Sequence, residues 1–333
     1  MATMQSYFFS CDWGTSSFRL RLVETTTGRV AGERRSAEGA KSIAAAHPAE
    51  VERAQAFQQL LTHHVDALIS ETGILPDTII ISGMASSSIG WQPLPYAPLP
   101  VNISGDGLGW ALLDPQQLSD RHHQMTVYLV SGLSSATDIM RGEEVEIIGV
   151  LSDPAYAAFR ESAVLILPGT HAKHVRIEDK KITAISTYMT GELYALLTEQ
   201  SILRFTAFTE ANSPDGHDDF AQGVRDAQTG QLTSLLFQVR TRSLLHELPP
   251  ARNLAYLNGL LVGAEVRGLL AGSPDNIPVL LCAGPRHASV YTQAFTALGQ
   301  AQRVTAVLPE VMDRATVLGH RAIVPHLTQG AIA

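Results

Sequence analysis

Cysteine is scarce in this chain. Only two of its 333 residues are cysteines, Cys11 and Cys282, and both stand in apolar runs that are typical of buried strands. This pattern excludes a disulfide framework and favours a reducing compartment. Since 45% of the residues are apolar, an ordinary hydrophobic core is available, and we expect a cytoplasmic protein.

Positively charged residues are also few. The chain carries 24 Lys and Arg against 32 Asp and Glu, which gives a net charge of −8. It has no basic run interleaved with aromatic residues, which argues against nucleic acid as a partner. No basic segment followed by an apolar stretch opens the chain, so no signal peptide is expected. The most apolar helical run, 254–270, contains Glu265 and Arg267, which argues against a membrane span.

The most informative stretch that is present is a strand, a hydroxyl-rich turn and a second strand. Asp12 ends the first strand, Gly14 permits a tight turn, and Thr15 and Ser16 supply hydroxyl groups. Such a turn can hold a metal-bound polyphosphate, the carboxylate through Mg²⁺ and the amides and hydroxyls through phosphate oxygens. The alternative is a plain β-hairpin with a polar turn.

A second turn of this kind occurs in the other half of the chain. There Gly169 and Thr170 follow an apolar strand, as Gly14 and Thr15 do, and two further strands follow each turn. A supersecondary unit repeated at a long period indicates a duplicated domain. We therefore expect two facing turns that hold ATP phosphates from both sides of a cleft.

The order of strands and helices predicts an α/β protein with two similar mixed sheets flanked by helices. Strand triplets are expected at about 6–36 and about 163–187, and a helix is expected to begin near Asp138. A domain boundary near Asp153–Pro154 gives an N-terminal domain over 1–155, which holds the first turn, and a C-terminal domain over 156–333.

Several segments together resemble a known family. Asp12–Ser16 resembles the first phosphate motif of sugar kinases in the actin, hexokinase and heat-shock-ATPase superfamily. The more specific segments are Ser-Gly-Met at 82–84, Met-Arg-Gly-Glu-Glu at 140–144, Pro-Gly-Thr-His at 168–171 and Met-Thr-Gly-Glu at 189–192. In this order they resemble the 2-keto-3-deoxygalactonokinase (2-dehydro-3-deoxygalactonokinase) family over nearly the whole chain.

This resemblance implies a two-domain actin-like ATPase (ribonuclease H-like) fold with an interdomain cleft. Residues 1–155 would form the sugar-binding and first phosphate-loop domain, and residues 156–333 the nucleotide-binding domain. It also implies ATP-dependent phosphorylation of the 6-hydroxyl of 2-keto-3-deoxy-D-galactonate, in galactonate catabolism. The expected ligands are ATP, Mg²⁺ and a sugar acid, while a homodimer is left open. The alternatives are a kinase for another sugar or sugar acid, of the gluconate type, and a non-catalytic ATP-dependent sugar sensor.

One set of residues is predicted to hold the nucleotide. Asp12 is the candidate Mg²⁺ ligand, because Mg²⁺ takes one or two carboxylates besides phosphate oxygens and waters; a turn-forming aspartate is the alternative. The other predicted contacts are Gly14, Thr15, Ser16, Gly169, Thr170, His171, Lys173, Gly284, Pro285 and Arg286. For Lys173, an exposed strand residue is the alternative. Pro285 stands where the family has a small residue or threonine.

A second set is predicted to act on the sugar acid. Asp138 is the candidate base for the substrate hydroxyl, chosen mainly on the resemblance, and Glu143 is the second candidate. An N-cap aspartate has the same signature as Asp138.

The remaining predicted contacts concern binding of the sugar acid. Arg141 is a candidate for binding the substrate carboxylate, against a helix-surface ion pair with Glu144 or Glu146. Because loops at the carboxyl ends of strands bind ligands in open sheets, the loop after the strand at 78–82 is predicted to line the sugar pocket. Its residues are Ser82, Gly83, Met84 and Ser86.

Overall fold

The computed structural model describes residues 6–113, 125–206, 217–246, 248–274 and 276–327. The chain divides into two compact units. The first unit comprises Met1–Glu161, Glu178–Ile185 and Glu310–Ala333, and the second comprises Ser162–Ile177 and Ser186–Pro309. The first unit therefore includes segments from the far end of the chain, whereas the two domains predicted from sequence are continuous.

Strands and helices alternate through both halves. The strands are β1 (Tyr7–Trp13), β2 (Phe18–Glu24), β3 (Val30–Ser36), β4 (Thr78–Gly83), β5 (Ala97–Pro98), β6 (Val101–Asn102), β7 (Trp110–Leu113), β8 (Thr126–Val130), β9 (Leu133–Ser134), β10 (Ile139–Met140), β11 (Ser162–Leu167), β12 (Ala172–Glu178), β13 (Lys181–Tyr188), β14 (Val279–Leu281) and β15 (Val304–Ala306). The helices are α1 (Ala40–Ala46), α2 (Glu50–Thr72), α3 (Glu143–Ser152), α4 (Thr190–Glu199), α5 (His217–Thr229), α6 (Leu232–His246), α7 (Pro250–Ala271), α8 (Pro285–Ala297) and α9 (Pro309–Ile323).

A six-stranded sheet forms the centre of the first unit, in the order β3-β2-β1-β4-β8-β7. Strand β1 is antiparallel to β2 and parallel to β4, which is parallel to β8. The register sets Asp12 beside Ser82 and Trp13 beside Gly83. Because the three parallel strands end at the same edge of the sheet, the polar residues that follow them lie near one another.

One face of this sheet forms the core of the first unit with α2. The inward side chains of β1 and β2 alternate along each strand, and Trp13 and Phe18 are fully buried with Phe57 of α2. The Trp13 ring lies 4.5 Å from that of Phe57 and 4.7 Å from that of Phe18, centroid to centroid. Buried aromatic side chains make the largest contribution per residue to a core. The packing of Trp13 against Phe57 therefore holds β1 against α2.

The opposite face of β1 and β2 carries polar residues that contact α9. The Ser10 hydroxyl lies 2.7 Å from Nδ1 of His320, and both residues are buried. Helix α9 also packs closely against α3, since a Cβ at Gly149 would lie 1.8 Å from the carbonyl oxygen of Ala315. Only glycine at this position permits that approach.

The second unit has its own sheet and core. Its strands run in the order β15-β14-β11-β12, with β14 parallel to both β11 and β15. Helices α5, α7 and α8 supply apolar side chains to the core, among them Val224, Val266 and Phe295. Helix α7 is, among the residues that the structure describes, the one helix that is long and apolar enough to cross a membrane. Its Glu265 is only 2% exposed and hydrogen-bonded, which is typical of a core helix.

Two local features differ from the sequence-based expectations. The prediction that a helix begins near Asp138 is wrong, because residues 139–140 form the short strand β10 and α3 begins at Glu143. The reason is Gly142, whose φ of 106° interrupts the backbone between strand and helix. Helix α1, over residues 40–46, was not predicted.

A testable consequence concerns His320. Burial lowers the pKa of His320 to about 3, whereas an unfolded histidine has a pKa of about 6.5. Above pH 6.5 the residue is neutral in both states. As the pH falls from 6.5 towards 3, the unfolded chain takes up the proton first, so the protein loses stability. The expected loss is about 2 kcal/mol by pH 5.

Urea unfolding at pH 7 and pH 5 measures this loss. The variant His320→Gln should lose less stability between the two pH values than the wild type, while His63→Gln, at an exposed position of the same unit, should behave like the wild type. An unchanged pH dependence in His320→Gln would show that the burial of this imidazole does not control acid stability.

Candidate active site

The first Gly-Thr turn is held by α1. The N–H of Gly14 donates to the carbonyl oxygen of Ser17 at 2.8 Å, and the N–H of Lys41 donates to that of Thr15 at 3.0 Å. A Cβ at Gly39 would lie 2.4 Å from the Thr15 carbonyl oxygen, so glycine is required for this contact. Thr15 and Ser16 are exposed. The turn therefore combines a fixed backbone with accessible hydroxyl groups.

The second Gly-Thr turn is held in the same way by α4. The N–H of Glu192 donates to the carbonyl oxygen of Thr170 at 3.0 Å. A Cβ at Gly191 would lie 2.4 Å from the carbonyl oxygen of Gly169. The His171 ring adds a contact of 2.5 Å between Nε2 and the Glu192 carboxylate. Each unit thus contains a Gly-Thr turn whose Thr carbonyl accepts a hydrogen bond from a helix that approaches through a glycine.

A buried carboxylate lies behind the second turn. Glu265 of α7 accepts hydrogen bonds from the Tyr291 hydroxyl at 2.8 Å and from the Thr190 hydroxyl, and its Oε1 lies 2.7 Å from His174 Nε2. These contacts join α7 to α8, to β12, which follows the turn, and to the start of α4, which holds the turn. Burial and the Glu265 charge raise the pKa of Tyr291, so its hydroxyl stays protonated and donates.

Lys173 lies on β12, next to His174, and its side chain is only 7% exposed. The alternative that it is an exposed strand residue is therefore wrong. Its predicted contact with the nucleotide stays a prediction.

Three carboxyl groups interact at the carboxyl end of β1. Burial raises the pKa of Asp12 to about 6; Arg21 lowers it and Glu143 raises it further. Burial also raises the pKa of Glu146 to about 8, and Asp12 and Glu143 add to the shift. Raised pKa values mean that the ionised carboxylates are under-compensated by nearby positive charge.

Two glycines bring the start of α3 to this corner. Gly83, with φ 88°, follows β4, and a Cβ there would lie 2.6 Å from the carbonyl oxygen of Trp13. A Cβ at Gly142 would lie 3.3 Å from the Cα of Gly83. Glu143 is the first residue of α3, so the helix presents its first-turn acids near Asp12.

These carboxylates suit a hard cation. Mg²⁺ prefers oxygen ligands and takes one or two protein carboxylates, with phosphate oxygens and water completing its shell. Within the described ranges of the chain, no three His, Cys, Asp or Glu side chains are arranged to hold a metal ion. A cation at Asp12 would therefore need ligands from phosphate and water, as a nucleotide-bound Mg²⁺ has.

The two candidate bases have different surroundings. Asp138 lies in a turn, where its Oδ1 accepts a hydrogen bond from the N–H of Ile139 at 2.7 Å and its own N–H donates to Ser135 Oγ at 2.9 Å. It does not cap a helix, so the N-cap alternative is wrong. Glu143 accepts a hydrogen bond from the N–H of Arg141 at 2.9 Å and acts electrostatically on Asp12. These contacts do not decide which of the two residues is the base.

Arg141 braces the loop that follows β4. Its Nη1 donates to the Ser86 hydroxyl, its Nη2 donates to the Leu94 carbonyl oxygen at 3.1 Å, and the guanidinium lies 4.2 Å from the Tyr96 ring centroid. Arg141 precedes α3, so it does not occupy the helix-surface position of the alternative interpretation. Its buried Nε has no hydrogen-bond partner, and neither has the buried hydroxyl of Ser82. The structure thus brings Arg141 together with the loop of Ser82, Gly83, Met84 and Ser86.

The third predicted nucleotide segment lies where β14 leads into α8. Gly284 is the N-cap and Pro285 the first residue of α8, a position that suits proline because its missing N–H has no partner to lose. A Cβ at Gly284 would meet nothing within 4 Å, and one at Gly169 would meet only the His171 carbonyl oxygen at 3.9 Å. Packing requires glycine at neither position, so the backbone there is open to close approach by a ligand. Arg286 is exposed.

Comparison with known proteins decides the family. A family model described as 2-keto-3-deoxy-galactonokinase matches residues 12–322. The chain belongs to this family. The resemblance seen in the sequence is thereby confirmed.

Individual relatives agree with the family assignment. A Rhizobium meliloti (strain 1021) protein described as a probable 2-dehydro-3-deoxygalactonokinase is 33% identical over 299 residues, 89% of this chain and 91% of that protein. The 2-dehydro-3-deoxygalactonokinase of Escherichia coli (strain K12) is 29% identical over 301 residues, with the same coverage of both chains.

A crystal structure of a Sinorhizobium meliloti protein, also described as a 2-dehydro-3-deoxygalactonokinase, superposes with a TM-score of 0.76. It has 32% sequence identity and covers 96% of this chain and 100% of its own. The predicted fold class, α/β with duplicated mixed sheets flanked by helices, is confirmed.

Two features of the site were missed from the sequence. Glu146 shares a helix face with Glu143, since residues three apart are neighbours on a helix, and this spacing was an available signal. Glu265 is the one acid in the largely apolar helix α7, which could have indicated a buried hydrogen-bonded network. Its partners His174 and Tyr291 are distant in sequence and gave no signal.

We expect the variant Glu265→Gln to destabilise the second unit. The amide of glutamine keeps the shape of the side chain but lacks the negative charge that His174, Thr190 and Tyr291 face. Disruption of this buried network should lower the free energy of unfolding by about 2–3 kcal/mol. Urea unfolding measures the change, with Glu199→Gln, at the exposed end of α4, as the control, expected within about 0.5 kcal/mol of wild type. Equal stability of both variants would mean that the Glu265 network contributes nothing.

Proposed function

We propose that this protein transfers the γ-phosphoryl group of ATP to the 6-hydroxyl of 2-keto-3-deoxy-D-galactonate, in galactonate breakdown. The observation that carries the proposal is the family match over residues 12–322, together with relatives named for this activity that align along about nine-tenths of the chain. The two Gly-Thr turns support ATP as the phosphoryl donor. The buried free thiols of Cys11 and Cys282 support a cytoplasmic location.

The nucleotide contacts are assigned to three segments. In the first unit, the amides and hydroxyls of Gly14, Thr15 and Ser16 would contact phosphate oxygens, and Asp12 would hold Mg²⁺. In the second unit, the turn of Gly169, Thr170 and His171, with Lys173 behind it, would contact phosphate, and Gly284–Arg286 would contact adenosine. Mg²⁺, when bound, neutralises charge on the phosphoryl group that is transferred.

The sugar acid is assigned to the first unit. The loop of Ser82, Gly83, Met84 and Ser86 would line its pocket. Arg141 either binds its carboxylate or positions this loop through Ser86. Of the two candidate bases, we favour Glu143, because its charge acts on Asp12 and the hydroxyl that is deprotonated must lie near the metal-bound γ-phosphate.

A substrate panel tests the activity. Purified protein with Mg–ATP should release ADP with 2-keto-3-deoxygalactonate, and more slowly with 2-keto-3-deoxygluconate or gluconate. No ADP above the substrate-free background would support the sensor alternative, and faster turnover of a gluconate-type compound would support the other kinase alternative. Either result would overturn the proposal.

Paired variants test the base. Glu143→Gln should lower kcat by about 10²–10⁴, since a positioned base contributes that much, while binding of a non-hydrolysable ATP analogue is retained. Asp138→Asn should change kcat by only a few-fold, because its carboxylate is held in a turn. The reverse pattern would assign the base to Asp138.

A further inference from the structure

We propose that the first unit carries a second anion-binding site, formed by the turn between β2 and β3 and by α9. It would take small molecules with two or more phosphate or carboxylate groups. A cavity of about 610 Å³ lies there, lined by four arginines, Arg21, Arg29, Arg35 and Arg314, and by two carboxylates, Glu33 and Asp313. This volume is in the range of small-molecule sites. The inference does not depend on the proposed kinase activity.

The two carboxylates are already shared among several arginines. Glu33 pairs with Arg21 at 2.5 Å, with Arg19 at 2.9 Å and also with Arg35. Asp313 pairs with Arg19 and Arg21 at 2.7 Å each. Three guanidinium groups thus face two carboxylates, so the wall of the cavity has an excess of positive charge in a chain whose net charge is −8. A bound anion would balance this excess.

Two of the arginines keep donors for a ligand. The side chains of Arg29 and Arg35 are 61% and 62% exposed. Arg29 donates to Glu24 through Nε, and Arg35 donates to Glu33 through Nε while its Nη2 lies 3.9 Å from Asp313 Oδ1. A guanidinium has five N–H donors in a planar fork, so most of them remain. This fork matches the paired oxygens of phosphate and carboxylate.

The turn itself is shaped by further arginines. Gly28 has a φ of 68°, and a Cβ there would lie 2.8 Å from Nη1 of Arg321 and 3.4 Å from Nη2 of Arg314. Arg314 Nη2 also donates to the Gly28 carbonyl oxygen at 3.0 Å. The guanidinium of Arg314 and one more, that of Arg321, therefore lie against the turn, which brings positive charge from α9 to the residues that line the cavity. Thr27 adds a hydroxyl group at the rim.

The end of the cavity at Thr27 and Arg29 lies away from the residues assigned to ATP, whereas its other end, at Arg35, is in register with Arg19 and through it with Asp12. The turn of Gly14 to Ser17 precedes β2 and the turn at Thr27–Gly28 follows it. Strand β2 has seven residues, which corresponds to roughly 20 Å at the rise of a β-strand. A ligand at the distal turn would therefore not overlap with a phosphate at Thr15 or Ser16.

Calorimetric titration tests the site, with pyrophosphate as the phosphate probe and citrate as the carboxylate probe, in metal-free buffer at constant ionic strength. The double variant Arg29→Ala/Arg35→Ala removes two exposed guanidinium groups. It should weaken binding by about a hundredfold, since each of the two charge-assisted contacts contributes about tenfold. The probe that binds with the higher affinity shows whether the site prefers phosphate or carboxylate groups.

The control is Arg34→Ala. Arg34 lies between Glu33 and Arg35 in the chain, but its side chain pairs with Glu71 of α2 on the other face of the sheet. It should bind within twofold of the wild type. The single variant Arg29→Gln gives a second measurement if the double variant is unstable, with an expected loss of about tenfold. Binding no stronger than that of chloride, or equal binding by Arg29→Gln and wild type, would overturn the proposal and leave a purely structural ion-pair network.

Discussion

Each Gly-Thr turn depends on one close contact with the helix that follows its strands. In the first unit Gly39 lets α1 approach until the Lys41 N–H reaches the Thr15 carbonyl oxygen, and in the second unit Gly191 lets α4 approach Thr170. A side chain at either glycine would lie 2.4 Å from a carbonyl oxygen of the turn. The turns are therefore held before any ligand arrives, which lowers the ordering cost of binding one.

The first unit adds a charge arrangement to this rigid frame. The register of β1 with β4 sets Asp12 beside Ser82, and the contact of Gly83 with Gly142 brings the start of α3 to the same corner. The result is a group of carboxyl groups in which burial and the charge of Glu143 raise the pKa of Asp12, and burial with the charges of Asp12 and Glu143 raises the pKa of Glu146. Such a group is a poor structural element on its own, but it is suited to a cation that arrives with phosphate. The same packing thus links the fold to phosphoryl transfer.

Local patterns in the sequence predicted much of this fold. The strand triplets and the two Gly-Thr turns follow from alternation, glycine and hydroxyl residues that are close in the chain. Helix α1 was missed because it has seven residues, no side-chain cap and no acid in its first turn. The start of α3 was misplaced because the left-handed backbone of Gly142 cannot be read from its neighbours.

Contacts between distant residues were beyond the reach of sequence reasoning. The placement of α9 in the first unit depends on contacts such as Ser10 with His320 and Arg21 with Asp313. Nothing near either residue in the chain signals its partner. The burial of Lys173 and the bracing role of Arg141 likewise depend on packing. For the choice of sugar, the family match carried more information than any local pattern.

The central claim is that Asp12 anchors the metal of a bound nucleotide. Electron paramagnetic resonance of Mn²⁺, used in place of Mg²⁺ with a non-hydrolysable ATP analogue, measures this most directly. The wild type should bind the Mn²⁺–nucleotide complex, and Asp12→Asn should weaken it by at least tenfold while the variant remains folded. Equal Mn²⁺ affinity in the two proteins would contradict the account.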